Sequence, residues 1–202
     1  MSMEDFLGST SRENGDKKTS HFDKAIEITL VHEGGFSNDA VDPGGATNWG
    51  VSIRFLTNDA GDHDGDGFLD GDIDHDGDID IDDIRQMSRD DAIKIYRYYF
   101  WDKYGYEAIT DFTVAARVFD MTVNMGPSQT GKIVQRALNN CGSTLLVDGK
   151  IGKNTFATIN CTNSEMLMSE IRQEHAQFYL DLIAAKPKFE KYRKGWLRRA
   201  AA

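Results

Sequence analysis

Residues 32–51 read His-Glu-Gly-Gly-Phe-Ser-Asn-Asp-Ala-Val-Asp-Pro-Gly-Gly-Ala-Thr-Asn-Trp-Gly-Val, and the reading of the chain turns on this stretch. Upstream of it, Phe22, Ala25, Ile26, Thr29 and Leu30 recur at the spacing of an amphipathic helix. That helix should stop at the Gly34–Gly35 pair, because glycine readily takes the backbone conformation that ends helices. Glu33 then falls at the helix C-terminus, where the helix dipole disfavours an anion and favours a retained proton. Downstream, Phe36–Gly50 is rich in Gly, Asp, Asn and Ser and reads as a structured loop. Val51–Leu56 should resume as a short strand or helix.

Outward from this stretch the pattern is helical. Ser88-Arg89-Asp90-Asp91 has the form of a capping box. It predicts a helix through about Tyr104, with Ile95, Tyr99 and Tyr96 facing inward. Further helices are expected at Phe112–Asn124, Ser128–Asn140, Asn154–Ile159 and Ser164–Ala185. The three prolines, Pro43, Pro127 and Pro187, all fall at proposed breaks. Strand signals are sparse, so the expected fold is mainly α with one small loop-rich or β region near Glu33.

A chain of 202 residues suits one domain or two small lobes on a shared core. No apolar run approaches the roughly 20 residues needed to cross a bilayer. Residues 1–20 are polar and lack the apolar segment of a secretory signal, so they read as a disordered leader on a protein made in the cytoplasm. Cys141 and Cys161 are too few for a disulfide scaffold and read as free thiols, with one late-formed bridge as the alternative.

The net charge of −10 is not spread evenly. Asp62–Asp83 holds eleven aspartates and no Lys or Arg, and without them 22 acidic residues face 23 basic ones. Such concentration points to a cation site rather than a generally acidic surface. The tail is the reverse: Lys186, Lys188, Lys191, Arg193, Lys194, Arg198 and Arg199 stand against Glu190 alone. It suits peripheral contact with an anionic polymer or membrane surface, or else is a solvated helix end.

Glu33-Gly34-Gly35-Phe36 followed by Asp42-Pro43-Gly44-Gly45-Ala46-Thr47-Asn48-Trp49-Gly50 resembles glycoside hydrolase family 108, the phage-type N-acetylmuramidases of endolysins. Asp91–Arg97 with Tyr99–Asp102 looks like that family's middle helix. Phe119-Asp120 with Val123–Pro127, then Val147–Thr155 and Lys194–Arg199, look like the peptidoglycan-domain half that accompanies it. The resemblance covers about Phe22–Ala200 outside the aspartate segment. It implies a lysozyme-like helical fold, a catalytic lobe at 21–110 with an insertion at 61–84, and a helical peptidoglycan-domain lobe at 111–202. It implies a monomer acting on bacterial peptidoglycan in the cell wall, with no nucleic-acid partner. The reaction implied is hydrolysis of the β-1,4 bond between N-acetylmuramic acid and N-acetylglucosamine. Asp42 follows Glu33 by nine positions and Thr47 by fourteen, which also resembles the smaller phage lysozymes, with the threonine one position closer here.

The chemistry fits these residue types. Glycoside cleavage needs an acid for the leaving oxygen and a second carboxylate for the oxocarbenium-like charge or the attacking water. Glu33, near apolar Phe36 and Trp49, is the candidate acid. Asp42 is the second carboxylate, with Asp39 next, and Thr47 can orient water through its hydroxyl. Trp49, Trp101 and Tyr104 can stack on sugar faces or belong to the core. Two other functions remain open. One is a lytic transglycosylase, which adds no water and leaves an anhydro sugar. The other is a non-catalytic, calcium-dependent wall-binding protein, which would need no acid in a glycine-lined loop.

The aspartate segment has its own register. In Asp72–Asp83 oxygen ligands fall at positions 1, 3, 5, 9 and 12 of an EF-hand loop (Asp72, Asp74, Asp76, Asp80, Asp83). Gly77 stands at the sharp turn, the Asp78 carbonyl at position 7 and Ile79 at the apolar position. Asp at position 12 in place of Glu resembles dockerin loops. A second phase begins ten residues earlier with Asp62, Asp64, Asp66, Gly67, the Phe68 carbonyl and Asp70, and its position 12 is Ile73, which cannot ligate. The expectation is one or two structural Ca²⁺ ions; the plainer alternative is a solvated acidic loop.

Overall fold

In the computed structural model the described residues are 20–31, 35–38, 45–63 and 65–202. Residues 1–19 of the expected 1–20 leader, and the candidate residues Glu33, Asp39, Asp42 and Asp64, lie outside them.

The first helix, α1 (His21–Val31), opens on a reciprocal cap. The Ser20 amide donates to Asp23 at 3.0 Å, and the Asp23 amide donates to the Ser20 hydroxyl at 3.2 Å. Its expected inward stripe of Phe22, Ala25, Ile26, Thr29 and Leu30 is buried. A two-residue hairpin follows, β1 (Thr47–Asn48) antiparallel to β2 (Val51–Ser52). The chain then turns directly into α2 (Ile53–Asp59), whose first turn is capped by the Ser52 hydroxyl. The Val51–Leu56 segment therefore contains both a strand and a helix.

After the aspartate segment come α3 (Ile81–Gln86) and α4 (Arg89–Tyr96). The Ser88–Asp91 capping box is present in full. Where an unbroken helix to about Tyr104 was expected, the backbone widens over Arg97–Asp102 into a π-helical turn. Wide turns of this kind are rare and occur mostly as single turns within α-helices. Here the turn carries Tyr99 and Trp101 inward together. The Trp101 ring meets Phe22 at 5.6 Å and Phe119 at 5.4 Å, both edge-on, and its indole N–H donates to Glu107 at 3.0 Å. Trp101 is 0% exposed, so it belongs to the core and not to a sugar-facing surface.

The second half consists of α5 (Phe112–Met125), α6 (Pro127–Asn140), α7 (Lys153–Cys161), α8 (Ser164–Ala185) and α9 (Arg193–Ala201). Gly126 ends α5 and Pro127 begins α6, where its missing N–H costs nothing. One face of α5 (Val114, Ala115, Val118, Phe119, Met121) and one of α6 (Ile133, Val134, Ala137, Leu138) are buried in the same apolar cluster as α1 and α4. The architecture is mainly α and lysozyme-like, with its small β element in the segment that follows Glu33 in sequence. Cys141 and Cys161 are free thiols. No described helix is long and apolar enough to cross a membrane.

α5, α8 and α9 meet around a buried cation. Arg117 donates to the carbonyls of Arg199 at 3.1 Å and Ala200 at 2.7 Å, and its guanidinium lies 3.1 Å from His175 Nδ1. These carbonyls belong to the last turn of α9, which a cation stabilises. Arg199 closes the junction through Asp120 at 3.1 Å.

Candidate active site and acidic insertion

The hairpin is tied into the molecule from three directions. On one side Ser37 and Thr47 exchange both backbone hydrogen bonds at 2.8 Å. This bridge joins Ser37, four residues after Glu33 in sequence, to Thr47, five residues after Asp42. At the tip, Trp49 and Gly50 have φ of 51° and 78°. Positive φ at both central residues is the turn that matches strand twist, but a bulky residue at the first position is an outlier. Two hydrogen bonds hold it: the Trp49 indole donates to the Met87 carbonyl at 3.3 Å, and the Tyr96 hydroxyl donates to the Trp49 carbonyl at 3.1 Å.

On the third side Asn48 is buried and donates to the carbonyls of Ile84 at 2.9 Å and Met87 at 3.3 Å. Both carbonyls lie at the C-terminal end of α3, the helix that leaves the acidic insertion. From the same helix the Arg85 guanidinium stands 5.3 Å over the Phe36 ring. One short helix therefore grips both the segment after Glu33 and the hairpin with Thr47. Asn48 was not singled out from sequence. The only signal was a polar side chain beside Trp49, and its partners lie 36 and 39 residues away.

Of the candidate catalytic residues, Thr47 is placed, half-buried in β1, and its hydroxyl has no hydrogen-bond partner among the described residues. Glu33 and Asp42 lie outside the described residues. Trp49 packs against the core with its indole engaged. Tyr104 stacks on Tyr106 at 6.0 Å.

In the insertion, Asp72–Asp83 folds around its own carboxylates. Asp72 accepts from the amides of Asp76 at 3.1 Å and Gly77 at 3.0 Å. Asp83 accepts from Ile73 at 2.6 Å and Asp80 at 2.7 Å. Both are buried, at 4% and 1% exposure, whereas Asp74, Asp76, Asp78 and Asp80 are exposed. Gly77 takes φ 100°, which excludes a side chain without strain. The apolar position, Ile79, packs against the core. Carboxylate oxygens of Asp72, Asp74 and Asp76 lie within 4.8 Å of one another, as do those of Asp78, Asp80 and Asp83. The charge of Asp76, above all, pushes the Asp78 carboxyl above its ordinary range.

The earlier phase repeats part of this geometry. Asp62 accepts from Gly65 at 2.7 Å and Gly67 at 3.2 Å, Asp66 accepts from Phe68 at 2.9 Å, and Gly67 takes φ 96°. Asp70 is used differently. One of its oxygens accepts from the Tyr99 hydroxyl at 2.6 Å and lies 2.9 Å from His63 Nδ1. Asp70 thus ties the insertion to the π-helical turn. The Phe68 ring stacks on His75 at 4.4 Å and joins the two phases.

Comparison with known proteins agrees with this layout. The chain matches the family model described as "Glycosyl hydrolase 108" over residues 26–126 and the one described as "Predicted Peptidoglycan domain" over residues 129–201. The two matches meet at the Gly126–Pro127 break between α5 and α6. No curated protein matches the chain. The solved structure of Brucella abortus SagA is similar in fold, with a TM-score of 0.66, 22% identity and 89% of each chain covered. The first match spans half the chain and takes in the hairpin, the insertion and α5, so the chain belongs to the glycosyl hydrolase 108 family, as a glycoside hydrolase acting on peptidoglycan.

Proposed function

We propose that the enzyme is an endolysin-type muramidase, hydrolysing the β-1,4 bond between N-acetylmuramic acid and N-acetylglucosamine. In this reading Glu33 protonates the leaving oxygen. Asp42 stabilises the developing positive charge or activates water, and Thr47 orients that water through its hydroxyl. The observation that carries the reading is the Ser37–Thr47 bridge. It joins the two halves of the sequence motif at one place, with Glu33 four residues before Ser37 and Asp42 five residues before Thr47.

We also propose that Asp72–Asp83 holds one structural Ca²⁺. Five carboxylates at EF-hand spacing, the turn at Gly77 and mutual repulsion felt at Asp78 all fit a hard cation. The ion would neutralise charge and fix the loop that leads into α3. It has no part in the reaction. The Asp62–Asp70 phase is the weaker partner, since Asp70 is engaged by Tyr99 and position 12 is Ile73.

The test is Glu33→Gln, assayed on isolated sacculi. Loss of lysis by at least about 10²-fold at an unchanged melting temperature is expected, since general acid catalysis contributes about that much or more. A folded, active Glu33→Gln protein overturns the assignment. Mass spectrometry of the wild-type fragments should show free reducing ends; anhydro sugars would make the enzyme a lytic transglycosylase.

A further inference from the structure

Beyond the cleavage chemistry, and independent of it, the C-terminal segment presents a surface of its own. Residues 186–199 carry seven basic side chains. Two of these are spent internally, Arg193 on Glu190 at 2.7 Å and Arg199 on Asp120 at 3.1 Å. Lys186, Lys188, Lys191, Lys194 and Arg198 are exposed and make no ion pair among the described residues. They surround a ladder of rings, in which Tyr179 stacks on Trp196 at 4.9 Å, Trp196 on Tyr192 at 5.5 Å, and Phe189 lies 5.6 Å from Trp196. The lysines sit close to these rings, Lys191 at 4.8 Å from Tyr192, and Lys188 and Lys186 at 5.5 and 5.8 Å from Phe189.

The ladder decides what this surface can bind. A sugar stacks on a free aromatic face, but Trp196 is stacked against both Tyr179 and Tyr192. Tyr192 in turn has Trp196 stacked on it and Lys191 over the ring. Tyr192 remains 44% exposed among exposed lysines. That is the composition of a membrane interface, where aromatic side chains sit at headgroup depth and lysines reach phosphates. The helix beneath is held rigidly, since Arg117 anchors its last carbonyls.

We propose that the face formed by Lys186, Lys188, Lys191, Tyr192, Lys194 and Trp196 docks the enzyme on the surface of an anionic phospholipid bilayer. Binding is peripheral, carried by lysine–phosphate attraction and seated by the edges of Tyr192 and Trp196. It would hold the enzyme at a membrane next to its wall substrate.

The experiment is co-sedimentation of the full chain with vesicles. Phosphatidylglycerol–phosphatidylethanolamine vesicles should capture it at low salt, and phosphatidylcholine vesicles should not. Capture should fall steeply as salt rises to about 0.5 M, as screening requires. The Lys186→Gln/Lys188→Gln/Lys191→Gln/Lys194→Gln variant should lose capture at least about tenfold, given what each lysine near an anionic surface contributes. Tyr192→Ser should lose several-fold with little change in salt dependence. Both variants should melt as the wild type does and lyse isolated sacculi, which contain no lipid, at the wild-type rate. Equal capture by the two vesicle types, no capture at low salt, or a quadruple variant that binds normally overturns the proposal. Retention on teichoic-acid-bearing walls without vesicle capture also overturns it and moves the surface to a wall polymer.

Discussion

The acidic insertion and the α5–α8–α9 junction handle charge in opposite ways. The insertion crowds aspartates at the surface and answers them with backbone amides, leaving four side chains of the Asp72–Asp83 ring in solvent. The junction buries a guanidinium at 7% exposure and answers it with two helix-end carbonyls, an imidazole nitrogen and the Asp120 carboxylate at 4.0 Å. Amides alone leave like charges facing one another in the first region, which the proposed calcium would relieve. The second region draws its partners from the chain's own groups and should be indifferent to calcium.

The largest effect should come from the junction. Arg117→Ala strands the carbonyls of Arg199 and Ala200 and removes the donor to His175. Loss of a buried charged partner typically costs about 3–5 kcal/mol. In a chain of this size that is a fall of roughly 10 °C in melting temperature. Arg117→Lys keeps the charge without the planar fork and should recover only part of it. Thermal melts of the two variants, with and without calcium, should show the same deficit in both conditions. A calcium-dependent deficit would mean the two regions are coupled.

The insertion should respond to the ion instead. At a hundredfold excess over Kd, calcium should stabilise the wild type by about 2.7 kcal/mol, and EGTA should reverse it. Asp74→Asn/Asp76→Asn should abolish the shift and, lacking the repulsion, should melt no lower than the calcium-free wild type. Equal protection by magnesium, or none by calcium, would reduce the segment to an acidic loop.

Much of this was legible in the sequence where the physics is local. The Ser88–Asp91 capping box, the boundaries of α5 to α8 within one or two residues, and the inward stripe of α1 depend on neighbours a few positions apart. The π-helical turn at Arg97–Asp102 was not legible, because it depends on where Trp101 must go to meet Phe22 and Phe119. Nor was the junction, whose partners are separated from Arg117 by 58, 82 and 83 residues. Within the candidate site, the sequence named Thr47 but not the Asn48 contacts that fix its strand. Those contacts arise only because the insertion returns the chain to the hairpin.

That return gives a third, smaller prediction. Asn48→Ala should leave the Ile84 carbonyl without its side-chain donor and the Met87 carbonyl with the Trp49 indole alone, costing about 1–3 kcal/mol. Because the hairpin also holds Thr47, lysis of sacculi should fall further than the stability loss explains, and through kcat more than KM. If the ordering of the proposed calcium loop reaches the hairpin through Asn48, calcium should raise wild-type lysis but not this variant's, while raising the melting temperature of both. A variant whose lysis still follows calcium as the wild type's does would show that α3 is not the link between insertion and hairpin.

The smallest effect per unit change is a pH slope at the junction. Burial, and then the charges of Arg117 and Arg199, lower the pKa of His175 from its ordinary 6.5 to about 3. Its ring is fully buried, with Nδ1 facing Arg117 and Nε2 unpaired among the described residues. The folded protein therefore holds this histidine neutral where the unfolded chain would protonate it. Stability is unaffected above the unfolded pKa. It falls as pH drops below about 6.5, and the fall continues until the folded group protonates near 3. The slope contributed is at most about 1.4 kcal/mol per pH unit, one proton's worth. His175→Gln offers Arg117 an oxygen acceptor and does not titrate. Urea unfolding at several pH values between about 5 and 6.5, above the main carboxylate range, isolates the histidine from the aspartates of the insertion. The variant's stability should decline more gently than the wild type's across that window, by up to one proton in the linkage slope. Identical slopes would mean that His175 is protonated in the fold, and that the junction carries a second buried cation beside Arg117.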